Sequence, residues 1–351
     1  MRKLIFLTRF FFLVIIVLSI SGCSNYKTKD KEATAESNVN QNPFEVDGKE
    51  TDIMGSMEHA FVNPEVNEHD EMLPLRYDGG ELKIEYSVKA SGNAKNVGFL
   101  VFVDGIPQPY KFNTSQASYE YMHILNLEED DKNMPFTFVF TPVTGKKGDS
   151  LDLSITSVYN PSFIPDMKET SSYGGYHTTL ESSRSLVFKK NAEAFDHTTI
   201  SRNGYIRNIN ITSEPVTQQM LDTYSDMEKL NLEALDKRVF SQLYFDGKVK
   251  HDNIKINDKG TVHVSFKIFG HPGVKYQNTF FMNHEVLAND DGTSFETTLT
   301  KGDVAVIDLD INLEKLDDFS TFYVVSVPLN ATDFPEDVVV LEKTPSILLY
   351  K

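Results

Sequence analysis

The sequence predicts a mainly β protein with two tandem β-sandwich domains behind an N-terminal leader. Many short segments alternate between apolar and polar residues, and turn signals separate them about every ten residues, as in β-sandwiches. One alternating segment recurs 180 residues later, which indicates an internal repeat. The chain also opens with positive charge and a short apolar run, which is typical of a secretion signal.

The leader is predicted to span residues 1–22. Positive side chains come first, and an apolar run over 10–20 follows, in which Ser19 is the one polar residue. A permanent membrane-spanning helix needs about 20 apolar residues, so this run is too short to be one. The segment is therefore expected to be a cleaved signal peptide rather than a membrane anchor.

The end of the leader carries the only cysteine of the chain. Ile20, Ser21 and Gly22 precede Cys23, and this order resembles the lipobox of bacterial lipoproteins. The resemblance implies that the Cys23 thiol receives a diacylglyceryl group and that a lipoprotein signal peptidase cuts before it. It also implies a protein that is lipid-anchored on the extracytoplasmic face of the cell membrane. The alternative is an ordinary secretion signal that happens to contain a cysteine, or a poor membrane anchor. The absence of a second cysteine in the sequence argues against it, because a disulfide needs a partner.

Charge limits the partners of the chain. The formal net charge is −17, and loss of the positively charged leader makes it more negative. Such a chain is repelled by nucleic acid and by anionic headgroups, so membrane contact is expected through the lipid and nucleic-acid binding is not expected. With 40% hydrophobic residues, the chain can build substantial cores.

Four regions follow from composition and period. Residues 1–22 are the signal peptide, and residues 23–44 are the lipidated cysteine with a polar linker that cannot bury enough apolar surface to fold. Such a linker has a reach of about 25 Å. Residues 45–195 are assigned to the first sandwich domain. Residues 196–351 are assigned to the second, which begins with a connector and a helix.

Strands of the first domain follow from a period of two. In ELKIEYSV the apolar positions Leu82, Ile84, Tyr86 and Val88 alternate with polar ones, which predicts a half-buried strand. VGFLVFVDGIPQPY predicts a hairpin that turns at Asp104–Gly105. Further strands are predicted in YEYMHILNL, PFTFVFTPV, DSLDLSITSVY and SRSLVFKK.

The second domain repeats this scheme. The matching strand has apolar positions, each 180 residues after its counterpart, at Val262, Val264, Phe266 and Ile268. NTFFMNHEVLA stands where FLVFVDGIPQ stood, and SILLYK matches SLVFKK. In the middle, VIDLDINLEKLDDFSTFYVVSVPLN is aligned with YMHILNLEEDDKNMPFTFVFTPV, with Pro328 answering Pro142. An alternative alignment of KKGDSLDL with TKGDVAVIDL stays open.

The strand pattern resembles immunoglobulin-like sandwiches. The resemblance concerns the layout only, because the cysteine pair and the core tryptophan of antibody domains are absent from this sequence. One short amphipathic helix is predicted in the connector and is expected to pack against a sheet. Its apolar positions are Met220, Leu221, Tyr224, Met227 and Leu230.

Metal and catalytic motifs are weak. Residues 57–72 gather His59, His69 and several Met, Glu and Asp side chains, which could hold a divalent ion or copper. Their spacing matches no known metal pattern, so a solvated acidic segment is favoured over a metal site. His263 is interpreted as a surface strand residue. The sequence contains no G-x-S-x-G elbow. The one thiol is expected to carry the lipid, so it is not a candidate nucleophile.

A long insertion supplies the candidate binding loop. Residues 159–184 have little counterpart in the second half, and long loops on β scaffolds often carry function. The loop combines aromatic rings with adaptable backbone, a mixture favoured in binding loops. The candidate residues are Tyr173, Gly174, Gly175, Tyr176 and His177.

These observations favour a non-enzymatic binding or envelope-complex module without a cofactor. Its expected partner is an envelope protein or polymer of unknown identity. The alternative is an extracytoplasmic hydrolase or metal-dependent enzyme whose site residues are scattered along the chain. Because β-sandwiches host both classes, the fold alone does not decide between them.

Overall fold

The computed structural model describes residues 55–92, 94, 96–163, 179–193, 201–223, 230–250, 253–289 and 292–351. By contacts, the chain divides into two compact units, Met1–Thr51 and Asp52–Lys351, and all described residues belong to the second. None of the helices in the described ranges has the length and hydropathy that a membrane crossing requires.

Residues 55–193 form the first lobe. Its strands are β1 Ser56–Phe61, β2 Leu75–Tyr77, β3 Leu82–Ser91, β4 Asn96–Val103, β5 Ile106–Gln108, β6 Lys111–Phe112, β7 His123–Asn126, β8 Met134–Phe140, β9 Ser150–Tyr159 and β10 Thr179–Phe188. One sheet has the order β1-β3-β8-β6. The facing sheet has the order β2-β10-β9-β4-β5, with β7 also paired to β4.

Residues 201–351 form the second lobe. Its strands are β11 Arg202–Asn203, β12 Ile206–Pro215, β13 Val239–Phe245, β14 Lys248–Val249, β15 Asn253–Lys255, β16 Thr261–Gly270, β17 Lys275–Met282, β18 Glu285–Ala288, β19 Phe295–Thr298, β20 Asp303–Asn312, β21 Phe319–Pro328, β22 Glu342–Lys343 and β23 Ile347–Tyr350. Its helical elements are α1 Gln218–Asp222 and the 3₁₀ turns Leu232–Asp236, Leu313–Lys315 and Ala331–Asp333. The sheet orders are β12-β20-β16-β13-β14 and β11-β18-β17-β21-β23-β15.

This strand order confirms a mainly β fold of immunoglobulin-like layout. In the first lobe, β1-β3-β8-β6 follow the A-B-E-D order of an immunoglobulin sheet, and β10-β9-β4 follow G-F-C. In the second lobe, β13, β16 and β20 take the A, B and E places, and β23-β21-β17 follow G-F-C. The D place there is filled by β12, which comes from the connector.

The period-two segments form the predicted strands. The alternating apolar residues of β3 and β16 are buried, as the sequence predicted, and each set faces the core of its own lobe. The hairpin at Asp104–Gly105 is also confirmed, with φ of 50° and 72°. Its counterpart turn is Asn283–His284, with φ of 50° and 67°. Both turns have the positive φ pair of two-residue hairpins.

The predicted alignment of the middle strands is wrong. Because β8 pairs with β3 and β20 pairs with β16, these two strands are counterparts, and β9 therefore corresponds to β21. The prediction matched the end of β8 with the end of β21, and the open alternative matched β9 with β20. Both errors have one cause: the loops between these strands differ in length, and short apolar strands resemble one another.

The connector helix is shorter than predicted but packs as expected. The Thr217 hydroxyl caps α1 by accepting from the Met220 N–H, and α1 ends at Asp222. Tyr224 and Met227 lie outside the described residues. The apolar cluster beneath the helix contains Met220, Leu221, Leu230, Leu235, Phe240, Phe269, Val304 and Val306. It covers the part of the outer face of the β13, β16 and β20 sheet that contains Phe240, Phe269, Val304 and Val306.

The two lobes pack through matching sheet faces. The shared apolar cluster contains Leu100, Phe102, Tyr121, Met122, Val158, Phe281, Val286, Tyr323, Val325 and Val327. Phe102 and Phe281 each stand two residues before their hairpin turn, and their rings meet edge to face with centroids 6.4 Å apart. A residue that contacts its own counterpart is typical of a self-complementary interface. The lobe boundary predicted at 195/196 falls outside the described residues and stays a prediction.

Candidate functional site: the cleft between the lobes

Most of the predicted site residues fall outside the described part of the chain. Ile20, Ser21, Gly22 and Cys23 precede it, and the loop residues 173–177 lie in the gap before β10. The predictions for lipidation and for the binding loop therefore stay predictions. The two weak metal candidates, His59 and His69, are both described.

The solvated acidic segment predicted over 57–72 is wrong in its first part. Residues 56–61 form strand β1, which pairs antiparallel with β3. Met57, His59 and Phe61 share the face that points into the sandwich. His69 is solvated and lies beside Glu68 at 3.6 Å. Within the described ranges, no group of three His, Cys, Asp or Glu side chains is placed to hold a metal ion.

His59 forms a polar bridge between the two sheets of the first lobe. Its Nδ1 lies 2.6 Å from the Tyr86 hydroxyl on β3, and its Nε2 lies 3.1 Å from Ser157 Oγ on β9. Burial lowers the pKa of His59 to about 4, so the ring is neutral at neutral pH. β3 and β9 are the B and F strands, which a disulfide joins in antibody domains. The bridge therefore links the same two strands in a chain that has no disulfide.

This serine–histidine contact is not an accessible catalytic pair. Ser157 is fully buried, so its hydroxyl cannot meet a substrate. Its second contact is with the backbone of Leu180, whose N–H donates to Ser157 Oγ at 3.2 Å. The contact is explained by inter-sheet packing.

A second serine–histidine contact lies on the exposed face of β16. His263 Nε2 lies 3.4 Å from Ser265 Oγ, and its Nδ1 lies 3.0 Å from Asp310 Oδ1. The Ser265 hydroxyl instead donates to Asp308 Oδ1 at 2.5 Å. The strands β13 and β20 pair with β16 on its two sides. The backbone N–H groups there form sheet hydrogen bonds, whereas an oxyanion site would require them to point at a substrate. His263 is about half exposed, which confirms it as a surface strand residue.

A cleft opens where the β7 region of the first lobe meets the β17–β18 turn of the second. Its volume is about 460 Å³. It is lined by Tyr119, Glu120, Tyr121, Met122, Ile124, Ser201, Asn283, His284 and Glu285. Small-molecule sites occupy clefts of about 300–1,000 Å³ and favour domain interfaces. The size and the place of this cleft both fit a ligand site.

The second lobe fixes its side of the cleft through the β17–β18 turn. Asn283 Oδ1 accepts from the Thr321 N–H at 2.7 Å, and its Nδ2 donates to Asp317 at 2.9 Å. His284 Nε2 lies 2.7 Å from the Pro161 carbonyl of the first lobe, and its Nδ1 lies 3.1 Å from the Tyr323 hydroxyl. Burial lowers the pKa of His284 to about 4. A neutral His284 thus joins the two lobes at the wall of the cleft.

The first lobe presents aromatic and acidic groups. The Tyr121 hydroxyl lies 3.2 Å from Ser201 Oγ. Lys111 Nζ lies 4.5 Å from the centroid of the Tyr119 ring. Glu120 accepts from the Ser118 hydroxyl at 2.8 Å. These contacts fix the orientation of the polar groups before any ligand binds.

Sequence reasoning missed this cleft, although a signal was present. Residues 97–103 of β4 are all buried, and so are residues 278–282 of β17. An uninterrupted apolar strand is buried on both faces rather than one. In a sandwich, the second face must then be covered by another body. The apolar run VGFLVFV of β4 therefore predicts that another body covers its outer face, and the cleft is the gap at the rim of that packing.

Comparisons with known proteins give no family. No protein-family model matches the chain, and no curated protein matches it. The solved structures that it resembles include a chimeric titin Z1Z2 tandem, at 11% identity and a TM-score of 0.19, over 84% of this chain and 98% of that one. Two others are the C-terminal domain of the Streptococcus agalactiae AgI/II polypeptide BspA (7% identity, TM-score 0.21, 85% and 100% covered) and the collagen adhesin of S. aureus (7%, 0.19, 84% and 92%). These scores are low, so the fold assignment rests on the strand order.

Proposed function

We propose that this chain is a lipid-anchored extracytoplasmic binding protein whose ligand occupies the cleft between its lobes. The observation that carries the proposal is the cleft itself, with polar side chains held in place by both lobes. Preorganised groups bind at a lower entropic cost than mobile ones. The lipobox supports the location, because two acyl chains suffice for stable anchoring.

The anchor is tested at Cys23. Cys23→Ala is expected to abolish labelling with radioactive palmitate and to leave the leader attached, because the thiol is the acceptor of the lipid. Thr28→Ala, in the tether, is the matched control and is expected to label like the wild type. Palmitate on the Cys23→Ala protein would refute the anchor.

The ligand site is tested by photo-crosslinking in intact cells. A photoreactive residue at Ile124, which is 41% exposed on the wall of the cleft, is expected to capture a defined envelope component. The same residue at Leu232, which is 52% exposed and begins the 3₁₀ turn Leu232–Asp236 of the second lobe, is the control. Crosslinking that is equal at both positions, or absent at Ile124, would contradict a ligand site in the cleft.

A further inference from the structure

We infer that the cleft takes a neutral polyhydroxylated ligand, namely a saccharide. This inference rests on the proposed function and names the class of ligand for the same site. Three properties of the cleft carry it: balanced charge at its border, hydrogen-bond acceptors held in fixed positions, and rings beside apolar side chains.

Charges of both signs border the cleft. Glu120 and Glu285 line it, while Lys111 stands over the Tyr119 ring and Arg202 is bound to Glu285. A cleft for an anion would collect cations without carboxylates on its wall. In a cleft for a cation, the carboxylates would face the ligand, but here Arg202 already neutralises Glu285. The balance favours a ligand without formal charge.

The carboxylates keep their capacity to accept hydrogen bonds. A carboxylate has about four acceptor positions. The Ser118 hydroxyl takes one on Glu120, and the Arg202 guanidinium takes one on Glu285. Hydroxyl groups are donors that can reach the remaining positions, and bonds to a charged acceptor are the stronger kind. A ligand with several hydroxyl groups therefore matches these two acceptors, one from each lobe.

The remaining wall is aromatic and apolar. Tyr119 and the 41% exposed Ile124 form its accessible part, while Tyr121 and Met122 also line the cleft but are almost fully buried. Aromatic rings have a negative face that attracts positively polarised groups. The C–H groups on one side of a sugar ring are such groups, while its hydroxyls lie around the rim. One molecule can thus use the aromatic wall and the carboxylates together.

The test uses the full chain without its leader and ligand-observed NMR. The probes are two neutral oligosaccharides, chitotriose and maltotriose, with a sulfated disaccharide and trilysine as charged alternatives. At least one neutral saccharide is expected to bind saturably. Tyr119→Ala is expected to weaken that binding about tenfold, because it removes an aromatic wall.

Two further variants keep the test independent of folding. Glu120→Gln retains the shape of the side chain at an exposed position and is expected to weaken binding several-fold, because it removes the charged acceptor. Tyr244→Ala is the matched control. Tyr244 is also partly buried, with Lys267 Nζ 4.6 Å from its ring centroid, but it lies on β13 of the second lobe. Its binding is expected to stay within about twofold of the wild type.

The inference is wrong if neither neutral saccharide binds, or if Tyr119→Ala and Glu120→Gln both leave the binding unchanged. Saturable binding of trilysine or of the sulfated disaccharide alone would also overturn it. In each of these cases, specific crosslinking at Ile124 would still support the cleft as a binding site. The two failures are therefore distinguishable.

Discussion

Phe102→Ala and Phe281→Ala are each expected to lower the free energy of unfolding by about 3–5 kcal/mol. Both rings are fully buried in the apolar cluster between the lobes. The double variant is expected to cost about 1 kcal/mol less than the two single losses together, because the edge-to-face contact is lost only once. Chemical denaturation of the four proteins measures both quantities.

The control for this series is Phe319→Ala. Phe319 is 40% exposed at the start of β21, so its loss is expected to cost much less than a buried ring. If Phe102→Ala and Phe281→Ala cost no more than this control, the lobes do not pack as described. If their effects are simply additive, the two rings do not touch.

In a Glu342→Gln background, acid is expected to destabilise the protein between about pH 6.5 and pH 4. The pKa values of His59 and His284 are lowered to about 4 by burial, while unfolded histidine titrates near 6.5. Between these values the unfolded state binds more protons, so stability is complete above pH 6.5 and falls as the pH decreases. At pH 5 the loss is about 2 kcal/mol for each histidine. Burial also raises the pKa of Glu342 to about 7, which stabilises the fold as the pH falls and masks part of this loss. Urea unfolding of the Glu342→Gln protein at pH 7 and pH 5 therefore measures the difference.

Two variants, each made in the Glu342→Gln background, assign the acid effect. His284→Gln removes one titrating group but keeps a side-chain N–H near the Pro161 carbonyl, so about half of the fall between pH 7 and pH 5 should remain. His69→Gln removes a solvated histidine and should keep the whole fall. A Glu342→Gln stability that is flat over this interval would show that the two histidine rings are not held neutral.

The strands that could be predicted from the sequence are those with one face buried in the core and the other face exposed to solvent. In β3 and β16 the alternation of apolar and polar residues reports burial directly, and the predicted residues are buried. The turn at Asp104–Gly105 was predictable because few residues tolerate a pair of positive φ angles. The pairing of β8 with β3 was not predictable, because pairing depends on the lengths of loops that carry no period.

The candidate site could be predicted only in part. Met57, His59 and Phe61 occupy every second position, which is a strand signal. The many carboxylates in this segment favoured a solvated segment instead. The cleft depends on contacts between residues far apart in sequence, such as His284 with Pro161. A histidine in a hairpin turn gives no sign of such a partner. What the sequence does contain is the run of buried residues in β4, which indicates that its outer face is covered.

The most direct test of the tethered binding protein is the intact mass of the polypeptide extracted from native membranes. The account predicts a chain that begins at Cys23 and carries a diacylglyceryl group on that sulfur. A free thiol at Cys23, or a leader that is still attached, would contradict it.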